Sequence, residues 1–228
     1  MSTATNGSQK DEHFVGIKAL QKKGVTYDEL MDIYDNCASQ EYDQDMKGVG
    51  YMAPQFVSEY FDKHARALGI PKDALILDVA AGTGMQASIL KEKYGYTRLD
   101  ATDASQAMLD KARDTGVYRN FYCCRIGGGY KLPMADNTYD SAVMAGGLAE
   151  GHIKCDAFLE LIRVVKPGGL IVNAMREANI RDVEEYHNLH PSFKKWAEEK
   201  KWECIEHVIP PIKHYMDLDG LVHVYRVL

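Results

Sequence analysis

The 228-residue chain has no apolar run approaching the roughly 20 residues that span a membrane, so we expect no membrane segment. Residues 1–12 lack the apolar stretch of a secretory signal, and export is not expected. Basic residues are outnumbered, with 27 Lys and Arg against 33 Asp and Glu, and the net charge of −6 argues against a nucleic-acid partner. Five cysteines are an odd number, and we expect reduced thiols in a cytoplasmic protein.

The pattern of apolar residues divides the sequence into three parts. Residues 1–12 are small and polar and predict a disordered tail. Residues 13–70 carry apolar side chains at helical spacing, with a break at Gly24 and a strongly amphipathic stretch over 52–68. They predict an N-terminal helical cap or lid. Residues 71–228 predict one α/β domain, because short apolar runs alternate there with helical patterns.

This alternation favours a mostly parallel sheet with helices on both faces. The predicted strands cover 74–79, 96–102, 120–125, 139–145 and 169–175, and the helices between them cover 86–94, 106–115 and 157–165. A charged helix follows over 182–200, interrupted near Pro191. The last two strands, over 202–209 and 221–228, have no helix between them and indicate an antiparallel closing hairpin.

A glycine-containing loop follows the first strand and opens a helix. The segment 76–84 runs from apolar residues through Asp78 into Ala80-Ala81-Gly82-Thr83-Gly84. Small residues before a helix N-terminus let a ligand approach unpaired backbone N–H groups. No Lys-Ser/Thr pair follows, so the loop is not a phosphate-binding P-loop. Asp78 would repel a pyrophosphate and would suit a ligand that carries an ammonium group.

A second acid, Asp103, ends the next strand about 20 residues after the loop, the usual distance for a carboxylate that binds ribose hydroxyls. Ser105 then has the character of a helix N-cap. Together these residues indicate a nucleoside with a positive amino group and no pyrophosphate, which S-adenosylmethionine matches. The alternative is that Asp78 caps a turn and the glycines only form a tight bend.

At these residues the sequence resembles the class I S-adenosylmethionine-dependent methyltransferases. Segment 78–84 matches their first motif, with Ala80 where many members have glycine, and 161–169 matches a late helix-turn-strand motif. Segments 42–45, 51–54 and 146–148 are similar to the methyltransferase-like group of the Williams–Beuren syndrome region. The resemblance implies a Rossmann-like, seven-stranded, mostly parallel sheet with an antiparallel C-terminal strand. It also implies S-adenosylmethionine as cofactor and S-adenosylhomocysteine as product.

The resemblance also implies a set of cofactor-binding residues. Asp103 matches the ribose acid, and Ala104 and Met108 stand where the adenine is usually bordered. Gly128 replaces an acid that accepts a hydrogen bond from the adenine amine in many members, so we expect that contact to be lost or made through water. The full predicted set is Tyr34, Tyr42, Asp78, Ala80, Gly82, Gly84, Asp103, Ala104, Met108, Gly128, Gly129 and Ala145.

Candidates for catalysis and acceptor binding are fewer, because methyl transfer from a sulfonium relies largely on alignment. Tyr42 could contact the sulfonium or the acceptor from the cap, or be a helix-packing tyrosine. His152 could be a general base, or a surface histidine. Glu150, His152 and Arg176 follow later strands and could hold the acceptor.

We expect no metal, because Cys123, Cys124, His152 and Cys155 do not have the spacing of a zinc site. The predicted activity is methylation of a small molecule at nitrogen, oxygen or sulfur. Two alternatives stay open, a protein methyltransferase and a cofactor-binding protein without turnover.

Overall fold

A computed structural model describes residues 24–38, 42–214 and 217–228. The predicted tail over 1–12 and the first predicted cap helix lie outside these residues. Three helices come first: α1 (Tyr27–Ala38), α2 (Tyr42–Gly48) and α3 (Ala53–Ala67). The α3 helix confirms the amphipathic stretch predicted over 52–68, and its buried face packs on the sheet through Phe56, Val57 and Phe61.

Seven strands form one sheet, in the spatial order β3-β2-β1-β4-β5-β7-β6. They are β1 (Leu75–Val79), β2 (Arg98–Asp103), β3 (Tyr118–Cys123), β4 (Tyr139–Ala145), β5 (Val165–Arg176), β6 (Trp202–Val208) and β7 (Gly220–Val227). The first five strands pair in parallel, whereas β7 pairs antiparallel with both β5 and β6. The predicted fold class, with its antiparallel C-terminal hairpin, is confirmed.

The helices between the strands cover both faces of the sheet. They are α4 (Met85–Glu92), α5 (Gln106–Asp114), α6 (Ala157–Val164), α7 (Asn179–Asp182) and α8 (Leu189–Glu198), with one 3₁₀ turn at Glu184–Tyr186. One apolar cluster lies on each face of the sheet. Strand β7 contributes to both clusters, since Val222 and Val224 face one side and Leu221 and Tyr225 face the other.

Two sequence predictions about element boundaries need correction. Strand β3 begins two residues before the predicted start because Tyr118 is already buried against the core. The predicted interruption near Pro191 lies just before it, since α8 begins at Leu189 after the N-cap Asn188. Pro191 is the third residue of α8, where its missing N–H costs no hydrogen bond. The chain leaves the helical conformation earlier, at Val183.

Among the described residues, no helix combines the length and the apolar character needed to cross a bilayer.

Candidate functional site

A cavity of about 270 Å³ lies where β1, β2 and β4 end and where α1 and α2 cover the sheet. In a parallel sheet the carboxyl ends of neighbouring strands share one edge, so residues distant in sequence meet there. The wall contains backbone from the strand ends, apolar side chains of α1 and several aromatic rings. Its strand-end residues are Val79, Ala80, Gly82, Thr102, Asp103, Ala145 and Gly146.

The glycine loop between β1 and α4 turns through three left-handed residues. Ala80 has φ 53°, Gly82 has φ 54° and Gly84, which precedes α4, has φ 90°. This conformation is strained for Ala80, because a Cβ atom crowds the neighbouring carbonyl when φ is positive. At Gly84 a Cβ would also meet the Thr115 and Tyr118 side chains at 3.2 Å. Glycine is therefore favoured at position 84 both by the left-handed turn and by the close packing against Thr115 and Tyr118.

Asp103 ties the glycine loop to the end of β2. Its Oδ2 accepts from the Gly82 N–H at 2.8 Å and its Oδ1 from the Ser105 N–H at 2.9 Å. Ser105 in turn caps α5, since its Oγ accepts from the Met108 N–H at 3.1 Å. The N-cap prediction is thereby confirmed. Burial raises the pKa of the Asp103 carboxyl, against the lowering effect of these backbone donors.

Asp78 lies beneath the loop and is only 1% exposed. Its Oδ2 accepts from the Tyr118 hydroxyl at 2.6 Å, whereas its Oδ1 is buried without a hydrogen-bond partner among the described residues. Burial raises the pKa of Asp78 to about 7, although the Tyr118 hydrogen bond lowers it. An unpartnered buried carboxylate oxygen is costly, and a cationic group bound nearby would offset that cost.

The segment that follows β3 forms the opposite wall. The Asp156 carboxylate accepts from the Gly128 N–H at 2.7 Å and from the Gly129 N–H at 3.1 Å, which fixes the glycine turn. Ile126 and Cys124 line the cavity beside it. At the end of β4, a methyl group on Gly146 would collide with the Tyr51 hydroxyl, so only glycine lets Tyr51 reach the cavity.

The cap helices contact the strand-end loops through side-chain hydrogen bonds. The Thr83 Oγ1 donates to Asp43 Oδ1 of α2 at 2.6 Å, and the Ser105 Oγ donates to Asp35 Oδ1 of α1 at 2.5 Å. The Gly24 N–H donates to Glu150 Oε1 at 2.9 Å. These contacts hold the cap closed over the cavity.

Tyr34 and His152 meet inside the cavity, with the Tyr34 hydroxyl 2.7 Å from His152 Nε2. His152 Nδ1 lies 2.8 Å from the Glu150 carbonyl oxygen, which only accepts, so Nδ1 carries the proton. Nε2 then bears the lone pair and accepts from the Tyr34 O–H. Burial lowers the pKa of His152, and the positive charge of Arg176 lowers it further. The imidazole is neutral near pH 7, with a basic nitrogen aimed into the cavity.

Ten of the predicted site residues line this cavity together. They are Tyr34, Tyr42, Ala80, Gly82, Asp103, Ala104, Met108, Gly128, Ala145 and His152. The cavity wall does not include Asp78, Gly84, Gly129, Glu150 or Arg176. Glu150 instead anchors the start of the cap, and the surface-histidine reading of His152 is wrong.

Sequence reasoning missed several wall residues. Tyr27 lies over the Arg125 guanidinium, whose carbon is 3.2 Å from the ring centroid. Leu30, Met31 and Tyr51 complete the cap side of the wall. Helical periodicity could have shown that Leu30 and Met31 face inward, but it does not distinguish a cavity from a packed core.

Known proteins resemble the chain in sequence and in fold. A methyltransferase domain family matches residues 76–169. The chain is 34% identical over 174 residues to methyltransferase-like protein 27 of Homo sapiens, an alignment that covers 76% of this chain and 68% of that protein.

More distant relatives share less of the chain. It is 34% identical over 113 residues to a demethylmenaquinone methyltransferase of Bacillus licheniformis and spans 48% of that protein's length. A solved structure from Galdieria sulphuraria, assigned as a sarcosine dimethylglycine methyltransferase, superposes with a TM-score of 0.56 at 16% identity. That superposition covers 74% of this chain and 84% of the other, and it bears on the fold alone.

Proposed function

The chain belongs to the class I S-adenosylmethionine-dependent methyltransferases, and from that premise we propose that it methylates a small molecule enclosed beneath α1 and α2, in the cytoplasm. The observation that carries this proposal is the closed cap. The hydrogen bonds that Asp35 and Asp43 accept from the strand-end loops leave a bounded cavity, whereas a protein acceptor needs an open groove. The four described cysteines are free thiols, as expected in a reducing compartment.

We assign the cofactor to the strand-end side of the cavity. Asp103 fits the ribose hydroxyls, because a carboxylate at the end of β2 keeps lone pairs available beside its two backbone donors. Met108, Ala104 and Ile126 form an apolar slot suited to adenine. The unpartnered Oδ1 of Asp78 supports an ammonium group near the loop. When bound, S-adenosylmethionine supplies an activated methyl group on its sulfonium.

The acceptor is assigned to the cap side of the same cavity. Leu30, Met31 and Ile153 give this side an apolar surface, and Tyr27 and Tyr130 add aromatic rings. Such a wall favours an acceptor with an apolar or aromatic portion. A demethylmenaquinone methyltransferase is among the relatives, so hydroxylated aromatic compounds and quinols belong in any acceptor panel.

His152 is assigned the role of proton acceptor for substrates that hold their proton at neutral pH. Its Nε2 lone pair, now occupied by the Tyr34 hydroxyl, would take the proton from an acceptor hydroxyl or a protonated amine. The Nδ1–H bond to the Glu150 carbonyl keeps the ring oriented as the charge develops. A thiolate or a free amine would need alignment only.

The deciding experiment incubates the full chain with methyl-labelled S-adenosylmethionine and a metabolite extract, followed by mass spectrometry of the small-molecule and protein fractions. Label in a small molecule supports the proposal. Label in protein supports a protein methyltransferase. Cofactor binding in calorimetry without any labelled product supports a binding protein and overturns the proposal.

Once an acceptor is known, His152→Ala and Tyr34→Phe test the proton route. An acceptor hydroxyl predicts a loss of about 10²–10⁴-fold for His152→Ala. Because the pKa of His152 is lowered, the rate should rise with pH through a pKa below the ordinary histidine value of about 6.5. Tyr34→Phe keeps the ring and should cost less. If His152→Ala retains the parent rate on a hydroxyl acceptor, His152 is not the base.

A further inference from the structure

Three histidines converge near the edge of the sheet, away from the strands that form the cap-covered cavity. His207 of β6 stands directly opposite His223 of β7 in the antiparallel ladder. His190, the second residue of α8, lies over them. One ligand nitrogen from each ring lies within 4.8 Å of the other two, and the Nε2 atoms of His190 and His223 are 3.2 Å apart.

We propose that His190, His207 and His223 bind a divalent transition-metal ion, with zinc the best match and water as the fourth ligand. Tetrahedral zinc with Zn–N bonds of about 2.0–2.1 Å separates two ligand nitrogens by about 3.3 Å. The His190–His223 separation of 3.2 Å already has this value. His207 is exposed and can turn toward the pair, and its exposure leaves the fourth position open to solvent.

The chemistry of the cluster selects the class of metal. All three donors are imidazole nitrogens, and the cluster includes no carboxylate. Nitrogen donors suit zinc, copper or nickel, whereas calcium and magnesium require oxygen ligands.

Asn173 of β5 supplies a second, independent observation. It is fully buried opposite His223, and its Oδ1 has no hydrogen-bond partner among the described residues. Its Nδ2 lies 3.4 Å from His223 Nδ1. A half-turn of the amide would bring Oδ1 to this position, where it would accept from Nδ1–H. The His223 Nε2 lone pair would then be directed at the metal, as outer hydrogen bonds do for metal-bound histidines.

From the sequence, we expect no metal at the mid-chain cysteines. Cys155 Sγ donates to the Glu185 carbonyl and Cys124 contacts Thr102, and neither belongs to a metal-ligand group among the described residues. The histidine cluster is invisible in the sequence because its members come from one helix and two strands without a local spacing motif. The metal would join α8, β6 and β7 and would stabilise the packing of these three elements.

The test titrates zinc into the full chain after chelator treatment, by calorimetry and by thermal unfolding. The expected result is one equivalent of zinc and a higher melting temperature. His207→Ala removes an exposed ligand without opening the core, and it should weaken zinc binding by more than about a hundredfold. His187→Ala, an exposed histidine three residues before His190, is the matched control and should bind zinc like the parent.

Cobalt substitution identifies the ligands. A nitrogen-ligated site should give visible absorption bands of four-coordinate cobalt without a near-ultraviolet thiolate band. Zinc affinity unchanged in His207→Ala, or a thiolate band in the parent, would overturn the proposal. Absence of zinc binding by the parent at micromolar concentration would overturn it as well. S-adenosylhomocysteine binding to His207→Ala reports that this variant is folded.

Discussion

The unusual protonation of Asp78 gives the first prediction at the scale of single residues. The unfolded chain releases this proton near the ordinary value of 3.8, whereas the ligand-free fold keeps it up to about pH 7. The contribution of Asp78 to the stability of the ligand-free protein should therefore fall as pH rises from about 4 to 7. An ammonium group bound beside Asp78 favours the carboxylate, so S-adenosylhomocysteine binding at pH 6 should release close to one proton per site.

Calorimetry at pH 6, in two buffers of different ionisation enthalpy, measures this proton release. Asp78→Asn keeps the side-chain shape and an acceptor for the Tyr118 hydroxyl, and it is the matched control. Release that persists in Asp78→Asn would assign the proton to another group and would remove Asp78 from the ammonium site.

Ala80 gives a second prediction at the same scale. Its φ of 53° is a strained conformation that costs an L-residue roughly 1–2 kcal/mol. Glycine adopts it freely but gains entropy in the unfolded chain, so Ala80→Gly should stabilise the protein by about 1 kcal/mol. The neighbour Ala81 is buried and has no positive φ, so Ala81→Gly should destabilise. Urea denaturation measures the free energy of unfolding of both variants. Destabilisation by Ala80→Gly would show that Ala80 is not strained in the folded protein.

Sequence reasoning reached the residues that local motifs carry. Asp103 follows from the distance between a glycine loop and the end of the next strand, a spacing set by the βαβ unit itself, whereas Met108 follows from the resemblance to the family. The pair Tyr34–His152 joins residues 118 positions apart, and Tyr51 reaches the cavity only because Gly146 lacks a side chain. Such contacts depend on how the cap docks, which no pattern within either segment encodes.

At the scale of elements, the cap supplies a third prediction. Asp35 and Asp43 each accept one hydroxyl hydrogen bond that joins α1 or α2 to the strand-end loops. Loss of about 1 kcal/mol from one such bond makes the opened state about five times more populated. Asp35→Ala and Asp43→Ala should therefore accelerate amide exchange over 27–38 and 42–48 about fivefold each.

Amide exchange by mass spectrometry checks this effect, with Asp32→Ala as control. Asp32 is an exposed acid on α1 whose side chain makes no hydrogen bond to the strand-end loops among the described residues. S-adenosylhomocysteine should slow exchange in α1 and α2 of the parent, since a lid must open to admit its ligands. Equal exchange with and without ligand across 34–42 would count against a lid.

The elements themselves were largely predictable, for reasons visible in the sequence. Buried parallel strands appear as short apolar runs, and the βαβ alternation fixes the sheet. Errors fell where tertiary contacts decide boundaries. Burial of Tyr118 moves the start of β3 to an earlier residue than predicted. Pro191 has a low helix propensity, but it lies in the first turn of α8, where proline is tolerated.

At the scale of the whole molecule, the sheet connects two regions. One is the aromatic cluster, on which tryptophan fluorescence reports, and the other is the cavity, to which the ligand is expected to bind. Both tryptophans, Trp196 and Trp202, lie in the aromatic cluster under α8, where Trp202 stacks on Tyr225 with centroids 4.0 Å apart. The cavity lies at the ends of β1, β2 and β4. Strands β5 and β7 connect the regions by continuous pairing, and alternate residues of β7 enter both apolar clusters.

This continuity predicts that the described domain unfolds as one unit, so tryptophan fluorescence and far-ultraviolet circular dichroism should give the same urea midpoint. S-adenosylhomocysteine at about 100 times its dissociation constant adds about 2.7 kcal/mol to the free energy of unfolding. Fluorescence should register that full increase, although the tryptophans are remote from the cavity, because unfolding of either region exposes the shared core of β7.

A fluorescence midpoint unmoved by the ligand, beside a shifted dichroism midpoint, would mean that α8, β6 and β7 unfold separately. In that case zinc should move the fluorescence transition alone, which ties the stability of this edge to the histidine cluster.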